Sequence, residues 1–272
     1  MADIPAIRIT VLGSGTSVGV PTIGCHCAVC TSSDPRDRRL RPSVLVSFGE
    51  RNVLIDTTPD FRYQALREGI ERVDAILYTH AHADHILGLD DVRPINFRMG
   101  GSIPIYAAAD AMNTIQNTFR YIFDSGATES SKPNIEPRIF DAETPIPLFG
   151  VDFIPLRLAH GRGLVYGFRF GDAAYLTDHS GVPPETMERL RGLDVLFLDA
   201  LRHRPHPTHS TVAHSLGTVE QLAPRRAFFT HICHDLPHAA TEATLPPYVR
   251  LACDGLRIDV AARNGISGAA GE

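Results

Sequence analysis

The sequence predicts an α/β protein in which β-sheets carry helices on their outer faces. Short apolar runs typical of buried strands alternate with segments of helical spacing along most of the 272 residues. Hydrophobic residues form 43% and charged residues 21% of the chain, which is typical of a folded globular protein. No linker divides the chain, so we expect a single domain over residues 1–272 with a substantial core.

The expected elements follow from the hydrophobic pattern and the turn residues. The predicted strands span residues 7–12, 43–48, 52–56, 74–78, 151–158, 164–170, 173–176, 195–199, 226–230 and 255–260. The predicted helices span residues 61–68, 110–123, 184–190 and 212–222. Residues 125–137, rich in Ser, Gly and Pro, are predicted to form a loop, and the tail over residues 262–272 is predicted to fray.

Charge and hydropathy exclude several classes of protein. The net charge is −5 and no block of basic residues stands out, so we expect no large nucleic-acid footprint. No run of about 18 apolar residues exists, and the first twelve residues do not resemble a signal peptide. Five cysteines, three of them clustered, favour metal binding over disulfides. We therefore expect a cytoplasmic protein with no membrane partner.

The segment GCHCAVC, residues 24–30, contains Cys25, Cys27 and Cys30. Three cysteines at this spacing supply three of the four ligands that a closed structural zinc site requires. The loop at residues 24–31 is therefore predicted to bind zinc together with a fourth ligand from elsewhere in the chain. Cys233 and Cys253 are interpreted as ordinary small buried residues.

The strongest signal is HAHADH at residues 80–85, which begins where an apolar strand ends. His80 and His82 share a face because alternate side chains of an extended segment point the same way. Asp84 and His85 fall at the start of a predicted short helix and reach an adjacent position. This arrangement favours two neighbouring metal ions over one.

Further donors follow other predicted strands. His160, Asp178 and His231 come just after strands, as His80 does. We expect these side chains to meet at one edge of the sheets. Asp56 also follows a strand and is predicted to hold the free N–H of a ligand histidine.

Together, HAHADH and the later donors in this order resemble the metallo-β-lactamase superfamily. The stretch LGSGTSVGVPTIGCHCAVCTSSDPRDRRLRPSVLV, residues 12–46, resembles its PhnP-like branch of cyclic-phosphate phosphodiesterases. The resemblance covers residues 11 to about 236. It implies a four-layer αβ/βα sandwich, with two mixed sheets flanked by helices and the metal ions at one sheet edge.

The same resemblance implies how the ligands are shared. One active-site metal would take His80, His82 and His160, the other would take Asp84, His85 and His231, and Asp178 would bridge them. His234 would be the fourth ligand of the structural zinc. The resemblance favours Mn²⁺ for the active-site pair, with Zn²⁺ as the alternative, because imidazole and carboxylate donors suit both. It also implies a homodimer.

A second histidine cluster ends in His209-Ser210-Thr211, which resembles the HST element of phosphodiesterases in this superfamily. The resemblance implies that His209 contacts the phosphate and assists the leaving group. His206 is expected to help bind the substrate, and the role of His203 is left open.

These observations predict a phosphodiesterase that acts on a small cyclic phosphate or nucleotide-like ester. A hydroxide held between two cations would attack phosphorus, and His209 would protonate the departing alkoxide. With Asp84, Asp178 and the hydroxide counted, two divalent ions keep about one formal positive charge, which suits an anionic diester. Residues 94–101 and 125–137 are expected to select the alcohol.

Three alternatives remain open. A hydrolase of the same fold could cleave a thioester or a lactam, although the HST element and the cysteine loop disfavour this. An RNA-processing nuclease would require a basic arm, which the sequence lacks. A non-catalytic zinc-binding protein would have no need for seven further metal donors.

Overall fold

The computed structural model describes residues 6–124 and 131–260. The strands are β1 Ile7–Gly13, β2 Ser43–Phe48, β3 Arg51–Ile55, β4 Ala75–Leu77, β5 Ile103–Ala107, β6 Ile135–Ile139, β7 Ile146–Leu148, β8 Val151–His160, β9 Gly163–Phe170, β10 Ala173–Leu176, β11 Val195–Asp199, β12 Arg226–Thr230, β13 Val249–Leu251 and β14 Arg257–Val260. The α-helices are α1 Phe61–Glu68, α2 Ala83–Ile86, α3 Arg93–Met99, α4 Ala109–Thr118, α5 Arg120–Phe123, α6 Pro184–Arg189, α7 Val212–Leu222 and α8 His238–Glu242.

Within the described ranges, these strands form two mixed sheets of seven. The first has the order β14-β1-β2-β3-β4-β5-β6, antiparallel as far as β3 and parallel beyond it. The second has the order β13-β12-β11-β10-β9-β8-β7, parallel from β13 to β10 and antiparallel beyond it. The predicted sandwich of two mixed sheets flanked by helices is confirmed.

The main core lies between the sheets, because alternate side chains of each strand point inward. Val46 of β2 and Phe168 of β9 belong to this core, and neither is more than marginally exposed. The opposite faces are covered by helices: Phe61 of α1 packs on the first sheet, and Val219 of α7 packs on the second. Burial of such apolar side chains contributes about 1.5–3 kcal/mol each.

Several predicted bounds are corrected by the structure. The helix predicted over residues 110–123 is divided at Phe119 into α4 and α5. Strand β8 continues to His160, so this residue ends the strand instead of following it. Strands β5, β7 and β13, and helices α3 and α8, were not predicted.

The two segments expected to be pocket loops also differ from the prediction. Residues 94–101 are mostly helical, because Pro94 lies in the first turn of α3 and Gly100 ends it in the left-handed conformation. The last residues of the segment 125–137 belong to the edge strand β6. The remainder of that prediction over residues 125–130 and the tail from residue 262 lie outside the described residues.

The topology brings several strand ends to one edge of the sandwich. Strands β10, β11 and β12 are parallel, so their carboxyl ends meet at the same edge. The loop after β4 contacts this edge from the other sheet, where Tyr166 N donates to Thr79 O at 3.0 Å. Among the described residues, no helix is both long and apolar enough to cross a membrane.

Candidate metal centre

The HAHADH segment leaves β4 and enters α2. His80 lies in the connecting loop and is buried, whereas His82 is exposed. His80 Nε2 lies 2.9 Å from His82 Nδ1, so the two imidazoles converge as the alternation of side chains predicts. Asp84 and His85 lie in the single turn of α2 and are both buried. The segment therefore presents four donors from one short stretch of chain.

Donors from the second sheet meet this segment. Asp178 follows β10 and His231 follows β12, and their donor atoms lie within 4.8 Å of those of Asp84 and His85. The Asp178 carboxylate lies 3.4 Å from His85 Nε2 and 3.2 Å from His231 Nε2. It also lies 3.9 Å from His80 Nε2 and forms a second donor group with His80 and His82. Asp178 thus stands between two sets of donors.

His160 lies beside these groups without joining them in a common 4.8 Å cluster. Its ring centroid is 5.3 Å from that of His82 and 5.8 Å from that of His80. Nδ1 of His160 is buried and has no hydrogen-bond partner. The structure therefore places His160 at the margin of the site and leaves one buried nitrogen free there.

The backbone at three of these positions is unusual. Asp56, Asp178 and His231 have φ values of 65°, 54° and 57°, in the left-handed region that non-glycine residues rarely adopt. Such conformations cost energy and persist where surrounding structure enforces them, often at functional sites. Asp56 and His231 directly follow a strand and Asp178 lies two residues after one, where the chain turns towards the common edge.

The donor set fits divalent cations. Three buried atoms without a hydrogen-bond partner converge here, namely Asp84 Oδ2, His85 Nε2 and His231 Nε2. An unpaired buried polar atom costs about 1–3 kcal/mol, so several together point to a missing partner. Imidazole and carboxylate donors suit Zn²⁺, Mn²⁺ and Fe²⁺. We conclude that this centre binds divalent metal.

The electrostatics agree with this conclusion. Burial alone would lower the pKa of His85, but the nearby carboxylates of Asp178 and Asp84 outweigh burial and hold the pKa well above its ordinary value. Burial likewise favours a higher pKa for Asp178, yet the imidazoles of His231 and His85 hold it well below its usual range. Buried carboxylates therefore create a strongly negative environment in which positive charge is stabilised.

A hydrogen-bond network orients His85. Its Nδ1 lies 2.7 Å from Asp56 Oδ2, and Asp56 also accepts hydrogen bonds from the backbone N–H and the hydroxyl of Thr79, at 2.9 and 2.8 Å. Because a carboxylate only accepts, Nδ1 of His85 carries a proton, and Nε2 is the ring atom that faces the carboxylates of Asp84 and Asp178. Asp56 thus lies where the sequence predicted a partner for a ligand histidine.

The cysteine loop forms a second donor group. The Sγ atoms of Cys25, Cys27 and Cys30 lie 3.2, 3.6 and 3.4 Å from Nδ1 of His234. A tetrahedron with zinc-to-ligand bonds of 2.0–2.3 Å has edges of about 3.5 Å, so these separations fit a Cys3His zinc site. His234 comes three residues after His231, so one short segment touches both donor groups.

A buried arginine that the sequence analysis did not identify supports this segment. The Arg39 side chain has no exposed surface and pairs with Asp37 at 2.9 Å. Its guanidinium also donates to the carbonyl oxygens of Cys233 and Leu236, at 2.9 and 2.7 Å. Arg39 therefore fixes the path of the chain through Cys233, which is itself buried.

His209 lies against the metal centre. Its ring stacks on that of His231 with centroids 4.6 Å apart and an interplanar angle of 11°, and it contacts His160 edge-on at 5.0 Å. Nδ1 of His209 lies 2.9 Å from Oδ2 of Asp199, the last residue of β11. Asp199 was not predicted, although it ends a strand at the same edge as Asp178. The next ring outward is His206, 5.0 Å from His209.

A small cleft of about 100 Å³ adjoins His80. It is lined by the HAHADH loop, by α4 and its preceding residue, and by β9, specifically Thr79, His80, Ala81, Ala108, Asp110, Ala111, Thr114, Leu164 and Tyr166. The described residues of segments 94–101 and 131–137 do not line this cleft. The substrate selection predicted for those two segments is untested.

Comparison with known proteins agrees with the geometry. A family model described as beta-lactamase superfamily domain matches residues 51–232. The crystal structure of a new diphosphatase from the PhnP family superposes with a TM-score of 0.90 and 54% identity, over 95% of this chain and 99% of that one. The Zn²⁺-bound PqqB of Methylobacterium extorquens has a TM-score of 0.75 at 20% identity, over 93% of this chain and 100% of that one, and shows the shared fold alone.

Sequence relatives have mixed names. An octanoyltransferase of Porphyromonas gingivalis is 36% identical over 253 residues, which are 92% of this chain and 51% of that protein. The chain therefore spans about half the length of this relative. The coenzyme PQQ synthesis protein B of Methylorubrum extorquens is 26% identical over 223 residues, 71% of this chain and 72% of that protein.

Proposed function

Because this chain belongs to the metallo-β-lactamase superfamily and is a PhnP-like, metal-dependent hydrolase, we propose that it cleaves small phosphodiesters or nucleotide-like phosphate esters. The observation that carries the proposal is the position of His209, stacked at 4.6 Å on His231 beside the metal centre. A phosphorus atom bound at the centre would have its leaving oxygen within reach of this imidazole. The PhnP-family diphosphatase, 54% identical, supports phosphorus over carbon as the reacting atom.

The proposed ligands are the seven predicted donors. They form one set of His80, His82 and His160, a second set of Asp84, His85 and His231, and Asp178 between them. Two bound cations, Mn²⁺ or Zn²⁺, would supply Lewis-acid charge to the phosphoryl oxygens and to the attacking water. A structural Zn²⁺ would occupy the Cys25, Cys27, Cys30 and His234 group.

The protein's own contribution to the reaction is proton placement. Asp199 accepts a hydrogen bond from His209 Nδ1, so Nε2 is the atom that exchanges a proton with substrate. A protonated His209 donates that proton to the departing oxygen, as a general acid. Asp56 keeps His85 in the orientation that ligation requires, and Asp84 and Asp178 hold the negative charge that retains the cations.

The name of the Porphyromonas gingivalis relative does not extend to this chain, which spans half of that protein. Acyl transfer is therefore only one of the alternative activities to be tested, together with hydrolysis of thioesters, lactams and RNA. Purified protein with measured metal content would be assayed on 2′,3′-cyclic AMP, bis-p-nitrophenyl phosphate, an octanoyl thioester, nitrocefin and RNA. Hydrolysis of a phosphodiester and about three metals per chain are expected. Turnover of the carbon substrates alone would refute the proposal. Light scattering would test for the homodimer that we also propose.

A further inference from the structure

The two donor groups share one short piece of chain. His231 belongs to the metal centre, where its Nε2 lies 3.2 Å from the Asp178 carboxylate, and His234 presents Nδ1 to the cysteine group. Three residues span at most about 10 Å when fully extended, so neither histidine can move far without displacing the other. Ile232 and Cys233, which join them, are both buried.

The backbone between the two histidines is fixed by the end of β1. The N–H of Ile232 donates to Ser14 O at 2.9 Å, and Ile232 O accepts from the N–H of Thr16 at 3.2 Å. His231 precedes these contacts with a φ of 57°, a left-handed conformation that the surrounding structure has to enforce. The orientation of this proposed ligand therefore depends on how firmly the chain after it is held.

The Arg39 side chain, which has no exposed surface, holds the chain that follows. Its guanidinium donates to the carbonyl oxygens of Cys233 and Leu236, on either side of the histidine of the cysteine group, and pairs with Asp37. Asp37 in turn accepts a hydrogen bond from the N–H of His238 at 2.8 Å. Loss of either partner would leave a buried charge unpaired, which is strongly unfavourable. The ion pair therefore fixes the segment at three points within six residues.

The backbone of Arg39 contacts the other part of the cysteine group. The N–H of Arg39 donates to Val20 O at 2.7 Å, and the N–H of Val20 donates to Arg39 O at 2.8 Å. Val20 packs with Val29 and Cys30 in a small apolar cluster. Arg39 thus joins the loop that supplies three sulfur donors to the segment that supplies the fourth donor.

We propose that Arg39 is a positioning residue that couples the two metal sites, so that zinc bound by the Cys3His group raises the affinity of the active-site centre for its cations. This inference rests on the ligands given under the proposed function. Zinc would hold His234 against the sulfurs while Arg39 holds the carbonyl oxygens on either side, which leaves His231 positioned for the active-site metal. Because coupling between two binding sites is reciprocal, the active-site cations would raise the zinc affinity by the same factor.

The test is a double-mutant cycle on metal affinity, which needs no substrate. Cys30→Ser removes one zinc ligand, and Arg39→Met removes the guanidinium but keeps an unbranched side chain. Mild chelation would empty the active site, and Mn²⁺ would then be titrated while electron paramagnetic resonance measures the free ion. Cys30→Ser should weaken Mn²⁺ binding about 10-fold, within the range usual for coupled sites. In the Arg39→Met background, the same substitution should weaken it by about 3-fold or less.

Two further variants serve as controls. Arg38→Met, at the exposed neighbouring position, should keep the full effect of Cys30→Ser. Arg39→Lys keeps a positive charge for Asp37 but supplies one nitrogen where the guanidinium supplies several, so it should give an intermediate effect. It also replaces Arg39→Met in the cycle if that variant does not fold. A purely structural role of Arg39 would lower the stability of the fold but leave the effect of Cys30→Ser unchanged.

Equal losses from Cys30→Ser with and without Arg39 would remove this residue from the coupling. An unchanged Mn²⁺ affinity in Cys30→Ser would refute the coupling itself. Either result would leave the proposed function intact, because hydrolysis of phosphodiesters is measured separately. Wild-type protein that binds no divalent cation beyond the structural zinc would instead contradict the proposed ligands, and this inference with them.

Discussion

Asp56 Oδ2 lies 2.7 Å from Nδ1 of His85, and this contact joins the end of β3 to the single turn of α2. The carboxylate is completely buried and has no contact with solvent. It also accepts two hydrogen bonds from Thr79, the residue just before His80. One buried acid therefore sets the orientation of one proposed ligand and the path of the chain into another.

Asp56→Ala should weaken the affinity of the active-site metal about 10- to 100-fold, the usual cost of losing the partner of a ligand histidine. The measurement is competition with a chromophoric chelator. Thr79→Val removes one hydroxyl contact and keeps the carboxylate, so its loss should be smaller. Equal affinities in wild type and Asp56→Ala would show that Asp56 has no role in orienting the ligand.

Cys30→Ser should remove about one zinc per chain and lower the midpoint temperature of thermal unfolding. The donor atoms of Cys30 and His234 are separated by 204 positions in the chain, so the metal closes a long loop as well as contributing its binding free energy. Elemental analysis and calorimetry would check this. Cys253→Ser, outside the donor group, is the control and should retain its zinc. Full zinc content in Cys30→Ser would argue against the Cys3His site.

His209→Ala should reduce kcat on a phosphodiester by about 10²–10⁴-fold, the range for loss of a general acid. Metal content should not change, because His209 is not among the seven proposed ligands. The loss should be smaller for p-nitrophenyl esters than for alkyl esters, since nitrophenolate departs without protonation. Comparable turnover of an alkyl ester by wild type and His209→Ala would remove this residue from the mechanism.

Asp74→Asn should make the free energy of unfolding vary less with pH in the acidic range. The Asp74 side chain is 2% exposed and lies 2.6 Å from Arg72 and 2.8 Å from Arg51. Burial would raise the pKa of Asp74, but these guanidiniums and the Asn52 N–H outweigh burial and lower it. A depressed pKa contributes stability above the ordinary carboxyl value of 3.8, and the contribution is lost as pH falls through the folded-state value.

At pH 7, the variant should therefore be about 1–3 kcal/mol less stable than wild type by urea unfolding. The difference should shrink as the pH falls below about 4, because the Asp74 carboxyl of the unfolded chain then takes up a proton, and it should vanish once the folded carboxyl is neutral as well. Glu220→Gln, at an exposed position of α7, should show no comparable change. A stability difference that stays constant down to pH 3 would contradict the assignment.

The parts of the site that the sequence revealed are those encoded locally. HAHADH places four donors within six residues, so alternation and one helical turn suffice to predict their convergence. The later donors were recognised because each closely follows a strand or ends one. Asp199 also ends a strand, but its role depends on its contact with His209, which a loop brings back to the same edge. The local sequence around either residue does not predict that contact.

Helix α3 and strand β6 were missed because proline and glycine residues are compatible with more than one type of local structure. Residues 94–101 were expected to form a pocket loop, but Pro94 lies in the first turn of α3, where proline is tolerated, and Gly100 lies where that helix ends, a position that favours glycine. Strand β6 contains Pro137, which an edge strand accommodates because one side of its backbone makes no ladder bonds. Proline and glycine can therefore occur in a loop, at a helix end or in an edge strand, and the tertiary structure decides which of these forms.

The proposed ligands are divided between the two sheets of the sandwich. The HAHADH donors follow β4, whereas His160, Asp178 and His231 lie at strand ends of the other sheet. Neither half of the polypeptide, expressed as a separate fragment, would contain all the donors of the two proposed cations. Metal binding should consequently require that the two sheets are packed together. Bound cations should in turn stabilise that packing and raise the temperature at which the sheets separate.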